Sequence, residues 1–258
     1  MKYLNKHAPP NPTLGYANSI DIPKRYTEIV STGGGSTIDV GKWLAKKYGL
    51  KHTAIPTTAG TGSEVTKYCV LMVNGEKHTF TDENFIPDEY KLKPKLVISL
   101  PRLYTLSSGL DALSQALEAY WSKNQTDLSR IYSASAINAI LEYLPISLKE
   151  PKNLEARHQM LLAANLSGRA INITKTNVCH AISYPLTEMY DIPHGIACAM
   201  SLKYFANKFL SLNLDRFFKE IDLPSYEIDI DEVANIAWRS AKLRDCPKIT
   251  KKDIKKSL

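Results

Sequence analysis

The period of the apolar residues changes once along this 258-residue chain, and that change constrains the fold more than any other feature. Up to about residue 104, short β-rich runs alternate with Gly, Pro and Thr turns: Glu28-Ile-Val-Ser31, Thr53-Ala-Ile55, Tyr68-Cys-Val-Leu-Met-Val73 and Leu96-Val-Ile-Ser99. Runs of this kind read as strands of an α/β layer. From Leu106 onward, LDALSQALEAYW, SASAINAILEYL and ARHQMLLAANLSGRAI carry apolar residues three and four apart, the period of helices with one buried face. The expectation is an α/β domain over residues 1–104 followed by an all-α domain over 105–258, with the change between Pro101 and Ser107.

Composition narrows the function classes. A chain that is 44% hydrophobic and 23% charged has the makeup of a globular protein rather than a disordered one. No apolar run reaches signal length or the roughly 20 residues of a membrane span, so a cytoplasmic protein without a membrane partner is expected. Cys69, Cys179, Cys198 and Cys246 are scattered with no CxxC pair, which predicts free buried thiols outside any acid/base motif. The formal charge of +7 raises nucleic acid as a partner. However, the basic residues are dispersed, and the densest group, Lys248, Lys251, Lys252, Lys255 and Lys256, reads as a solvated face. No nucleic-acid partner is expected, and the charge points instead to an anionic substrate.

Four constellations carry chemistry. In Glu28-Ile-Val-Ser-Thr-Gly33-Gly34-Gly35-Ser36-Thr37-Ile38-Asp39-Val-Gly-Lys42, a strand, a glycine turn and a helix follow one another. Glycines let a backbone approach a diphosphate, and the helix opened by Ser36 presents amides to the anion; a plain structural turn is the alternative. Ile55-Pro56-Thr57-Thr58-Ala59-Gly60-Thr61-Gly62-Ser63-Glu64-Val65-Thr66 is a hydroxyl-rich loop suited to phosphate, ribose and carboxamide groups. Asp111 and Gln115, four apart, share one helix face; Asp111 read alone would more readily be a helix N-terminal charge, and Glu118 reads as a solvent or salt-bridge residue. His180 and His194 lie in an apolar stretch and between Pro and Gly. Imidazoles with a carboxylate suit Fe2+ or Zn2+ and leave room for a substrate oxygen, whereas each histidine alone would more often be a satisfied core residue.

GGGSTIDVGK, IPTTAGTGSEVT, GLDALSQALEAY and CHAISYPLTEMYDIPHGIA, in this order, resemble the iron-containing (group III) alcohol dehydrogenase family over roughly residues 9–200. The resemblance implies an incomplete Rossmann-like nucleotide-binding domain followed by a helical metal-binding domain, with the active site in the cleft between them. It implies that Gly33, Gly34, Gly35 and Ser36 bind the diphosphate of NAD or NADP, with Asp39 also among the cofactor-binding residues. Thr57, Thr58 and Thr61 would line the cofactor site, with Lys95 near the ribose, and Asp111, His180 and His194 would hold Fe2+ or Zn2+. Gln115 stands where most members have a histidine, so it is either a weak fourth ligand or leaves three protein ligands. Tyr184 stands where many have a histidine associated with proton relay, and is expected to relay protons or to pack. Family members also carry several dozen residues before the segment that here reads NPTL, including the first strands of the nucleotide domain.

Within the family, Ala170-Ile-Asn-Ile-Thr-Lys-Thr176 and HAISYPLT look most like the phosphonoacetaldehyde reductase (hydroxyethylphosphonate dehydrogenase) branch, with Lys175 as anion partner. The expected activity is NAD(P)H-linked reduction of a small aldehyde, and the expected assembly is a homodimer. A dehydroquinate-synthase-like lyase and a non-catalytic family remnant are the alternatives.

Overall fold

The computed structural model describes residues 6–258. It divides into two compact units: the chain up to Thr58 with Ser63–Lys93, and Ala59–Gly62 with Pro94–Leu258. The division thus falls at Lys93 rather than after residue 104, because the segment before the first long helix packs with the helices.

In the first unit, helix α1 (Leu14–Ser19) precedes strand β1 (Glu28–Gly33), helix α2 (Gly35–Tyr48) and strand β2 (Lys51–Pro56). β1 and β2 are parallel, joined through α2, as a parallel pair requires a crossover. The α2 C-terminus is set by Gly49 at φ +63°, the left-handed conformation in which glycine ends helices. Strands β3 (Tyr68–Val73) and β4 (Glu76–Thr81) form an antiparallel hairpin. Its turn, Asn74-Gly75, has φ of +52° and +87°, the sign that primed hairpin turns require. The two-residue strand β5 (Glu89–Tyr90) pairs with β2 and completes a three-stranded parallel sheet in the order β1-β2-β5.

Leu96–Ser99, expected as a strand, is a set of turns: Val97 N–H donates to the Pro94 carbonyl at 3.1 Å and Leu100 N–H to that of Val97 at 3.3 Å. Pro94 opens a 3-10 turn and Pro101 stands at the start of the next helix, so the segment between the prolines is taken up by successive turns.

The second unit is helical, as the period predicts. It contains α3 (Arg102–Trp121), α4 (Asp127–Lys149), α5 (Leu154–Thr174), α6 (Val178–Tyr190), α7 (His194–Leu210), α8 (Asp215–Ile221), α9 (Ile230–Trp238) and α10 (Lys251–Ser257). Its core is aliphatic: Leu110, Leu113, Leu117, Leu144, Leu161, Ile182 and Leu186 are fully buried, each worth about 1.5–3 kcal/mol on burial. α4 is fixed by a capping box in which Thr126 and Ser129 exchange side-chain and backbone bonds, satisfying two otherwise orphaned donors. No helix among the described residues is long and apolar enough to cross a membrane. All four cysteines are unpaired and buried, as expected.

Candidate metal centre

Three helices of the second unit bring the titratable residues together. Asp111 lies in the middle of α3, away from its N-terminus, which removes the helix-charge reading. It is buried, as are Gln115 and Glu118 on the same face one and two turns on. His180 enters in the first turn of α6, whose N-terminus is capped by the Asn177 side chain accepting from Val178 N–H at 2.8 Å. α6 ends at Asp191 in the left-handed conformation, φ +53°, and Pro193 directs the chain into α7, whose first residue is His194. Gly195 lets α7 approach α3: a Cβ there would lie 1.7 Å from the Ser107 carbonyl oxygen and 2.8 Å from Asp111 N.

The side chains converge. His180 Nε2 is 3.3 Å from Asp111 Oδ1, and His194 Nε2 is 3.8 Å from the same oxygen. Cys198, one turn beyond His194 on α7, places Sγ 3.9 Å from His194 Nε2. The ligand atoms of Asp111, His180, His194 and Cys198 all lie within 4.8 Å of one another.

Both imidazoles are held so that Nε2 faces this centre. His180 Nδ1–H donates to Glu118 Oε2 at 2.5 Å, while Glu118 Oε1 accepts from the backbone N–H groups of Cys179 and His180 at 2.5 and 3.2 Å. Ser183 donates to the His180 carbonyl at 2.9 Å and accepts from His194 Nδ1 at 3.4 Å. A histidine whose outer nitrogen is committed to a carboxylate or hydroxyl presents a lone pair at the other, the usual arrangement around a bound metal. Glu118 is therefore not a solvent residue: its side chain is fully buried and orients His180.

The charges are coupled. Burial, the largest influence on Cys198, raises a thiol's pKa, yet the charges and hydrogen bonds of His180 and His194 bring it down to about 6. Burial likewise opposes the charged form of both histidines, but Cys198 holds both imidazole values up, with Glu118 acting on His180 and Asp111 on both. Asp111 is held below the usual carboxylate range despite burial, by the His180 hydrogen bond and the two imidazole charges. A carboxylate, two imidazoles and a thiol with matched orientation form a donor set that fits a divalent cation. The thiols were expected outside any acid/base motif; Cys198 departs from that because the four-residue helical step from His194 carries it into the cluster.

Gln115 is placed differently from a ligand. Its amide N–H donates to Asp111 Oδ1 at 3.1 Å, and its oxygen lies 3.2 Å from Ser167 Oγ, whose hydroxyl donates to the Ala112 carbonyl at 2.8 Å. In this orientation the amide N–H faces the centre, and the residue steadies the Asp111 carboxylate. Tyr184 is half-buried with its ring 6.4 Å from that of His194. Lys242 Nζ lies 5.5 Å over the Tyr184 ring and donates to Thr176 Oγ1 at 2.7 Å. Lys175, by contrast, is exposed at the C-cap of α5, with φ +64°.

Among the residues expected at a cofactor, Gly33 O accepts from Thr57 N–H at 2.9 Å, and a Cβ at Gly34 would touch the Thr58 side chain at 3.4 Å. The glycine turn and the start of the threonine loop thus adjoin, with Gly35 and Ser36 in the first turn of α2. Thr61 and Lys95 are exposed and belong to the second unit. Asp39 departs from its expected place: it is buried, accepting from Ser63 Oγ at 2.6 Å and Val70 N–H at 3.0 Å, with Lys42 Nζ at 3.6 Å. Fully buried Lys42 in turn donates to the Thr66 and Tyr68 carbonyls at 2.9 and 2.7 Å. The pair ties α2 to the threonine loop instead of facing solvent.

Residues 19–94 match the iron-containing alcohol dehydrogenase family, and residues 105–222 match the C-terminal domain of the Fe-containing alcohol dehydrogenase family. The chain belongs to the iron-containing alcohol dehydrogenase family. It is 35% identical over 184 residues to 1-propanol dehydrogenase from Citrobacter freundii, covering 68% of this chain and 50% of that one. Over 209 residues it is 34% identical to 1,3-propanediol dehydrogenase from Klebsiella pneumoniae, covering 73% and 54%. The chain therefore spans about half the length of the relatives it matches in sequence. The crystal structure of sulfoacetaldehyde reductase from Bifidobacterium kashiwanohense in complex with NAD+ superposes with a TM-score of 0.87 at 31% identity, covering 96% of this chain and 80% of that one.

Proposed function

We propose that the protein is a metal-dependent, NAD(P)H-linked reductase of small aldehydes that carry an anionic head group. The observation that carries this reading is the convergence of Asp111, His180 and His194, with both Nε2 atoms turned toward the carboxylate, in a member of a dehydrogenase family. A divalent ion held there supplies Lewis-acid polarisation of the aldehyde oxygen, and the nicotinamide supplies the hydride.

The chain's own residues do the rest. The amides of Gly35 and Ser36 in the first turn of α2, with the positive end of that helix, attract the cofactor diphosphate, and the Thr57 and Thr58 hydroxyls offer further hydrogen bonds. Glu118 and Ser183 hold the imidazoles in register. Tyr184, beside His194, carries a hydroxyl able to pass a proton to the product oxygen. Lys242 supplies the positive charge: half-buried against Tyr184, it pairs with an anion more strongly than the exposed Lys175 does, because partial desolvation strengthens the interaction. The sulfoacetaldehyde reductase likeness and the basic balance of the chain agree with a phosphonate or sulfonate head.

The test compares phosphonoacetaldehyde and sulfoacetaldehyde with propanal, using NADH and NADPH in parallel. A charge-assisted hydrogen bond contributes about 1.5–3 kcal/mol, so kcat/KM for an anionic aldehyde should exceed that for propanal by roughly ten- to a hundredfold. Lys242→Met should remove most of that preference and Lys175→Met little of it. Equal kcat/KM for all three aldehydes in the parent would overturn the anionic assignment.

A further inference from the structure

We propose that Cys198 is the fourth protein ligand of the metal, so that the centre is an Asp/His/His/Cys site suited to Zn2+ more than to Fe2+, at which a substrate oxygen would enter as a fifth ligand. This rests on the reading of the cluster as a metal centre. The sequence leaves that centre one imidazole short at Gln115, and the structure turns the Gln115 oxygen toward Ser167. Cys198 is fully buried, with its Sγ 3.9 Å from His194 Nε2 and within 4.8 Å of the other ligand atoms.

The spacing agrees with one small ion. In a tetrahedral site with metal–nitrogen and metal–oxygen bonds of about 2.0–2.1 Å and a metal–sulfur bond of about 2.3 Å, ligand atoms sit about 3.3 Å apart, or about 3.6 Å when one is sulfur. The separations of 3.3, 3.8 and 3.9 Å lie within about 0.5 Å of those values, and all four ligand atoms fall within 4.8 Å of one another, so a small inward movement would close them on one ion. His194 and Cys198 ride on the same face of one helix, so their separation is fixed by the backbone of α7.

Charge favours the same assignment. A divalent ion with one carboxylate and neutral imidazoles keeps a net positive charge in a buried place, which is costly; a thiolate removes it. Thiolate sulfur also favours Zn2+ over Fe2+. Gln115 becomes a positioning residue that acts on Asp111.

The test is Co2+ substitution of the full-length protein, followed by absorption spectroscopy. Cobalt bound to a thiolate shows a near-ultraviolet ligand-to-metal charge-transfer band, which oxygen and nitrogen ligands do not give. The parent should show this band, Cys198→Ser should lose it while keeping the visible cobalt bands, and Gln115→Ala should retain both. Zn2+ affinity should fall at least about a hundredfold in Cys198→Ser, more than the loss of an outer hydrogen-bonding partner causes, and the parent should bind Zn2+ in preference to Fe2+. The parent's own spectrum decides the matter even if Cys198→Ser fails to fold. Cobalt bound without the band, or a band that survives Cys198→Ser, overturns the thiolate assignment and leaves the metal centre standing. Failure to bind cobalt at all overturns both.

Discussion

Gly195→Ala tests whether the approach of α7 to α3 is what assembles the metal centre. The added methyl would lie 1.7 Å from the Ser107 carbonyl oxygen and 2.8 Å from Asp111 N, both on the rigid backbone of α3. Carbon approaches a carbonyl oxygen to about 3.3 Å at closest, so the helices must separate locally by about 1.6 Å. His194 is adjacent to Gly195 and moves with it, so its Nε2 leaves Asp111 Oδ1, now 3.8 Å away, by a comparable distance. Metal sites tolerate about 0.2 Å in bond length, and a shift of that size leaves His194 out of reach. We expect the variant to lose at least about a hundredfold in Zn2+ affinity by competition titration against a chelator, with overpacking lowering stability by about 1–3 kcal/mol. Gly49→Ala is the control. Its left-handed φ of +63° with no neighbour within 4 Å predicts a loss of about 1 kcal/mol in the other unit and unchanged metal affinity. Parent-like affinity in Gly195→Ala would refute the idea that helix approach sets the ligand geometry.

Glu118→Gln keeps the side chain's shape but weakens its hold on His180 Nδ1, and metal affinity should fall by about ten- to a hundredfold; no change would show that His180 does not need this partner. His52, a residue of β2, is buried, with Nε2 bonded to Ser31 Oγ at 2.9 Å. Burial, followed by the charge of Lys42, lowers its pKa from 6.5 to about 4. The folded state therefore resists protonation that the unfolded chain accepts, so stability falls as pH drops from about 6.5 to about 4, by roughly 3 kcal/mol in all. Urea melts across that range should show this loss in the parent and a flatter profile in His52→Gln; equal slopes would remove His52 as the cause.

Much of the fold is legible in the sequence because the apolar periods of 2 and 3.6 differ so clearly on either side of residue 104. Tyr68–Val73 shows the pattern of a strand and is one. Its partner Glu76–Thr81 does not, because EKHTFT lies mostly exposed and lacks an apolar alternation; the Asn74-Gly75 pair was the signal available for it. Leu96–Ser99 misleads for the opposite reason, being β-branched and apolar in composition yet bounded by prolines. At the site, the spacing of Asp111, His180 and His194 in motifs makes them visible. Glu118 and Cys198 are visible only once the helices are packed, since an acidic residue at the end of GLDALSQALE and a cysteine in HGIACAM look like a surface charge and a core thiol. The His194-x-x-x-Cys198 step along one helix face was the one local hint. Asp39 shows the reverse limit: a carboxylate near a glycine turn suggests a ligand contact, and only its bonds to Ser63, Val70 and Lys42 reveal a brace.

The central claim is that Asp111, His180 and His194 hold a divalent metal while Gln115 only steadies Asp111. Elemental analysis of the purified protein by plasma mass spectrometry, after loading with Zn2+ or Fe2+ and removal of excess ion, tests it most directly. The parent should retain about one ion per chain. His194→Ala should retain little, and Gln115→Ala should retain most, since a neutral amide offers a cation far less than an imidazole does. A parent that retains neither metal, or equal losses from the two variants, would contradict the account.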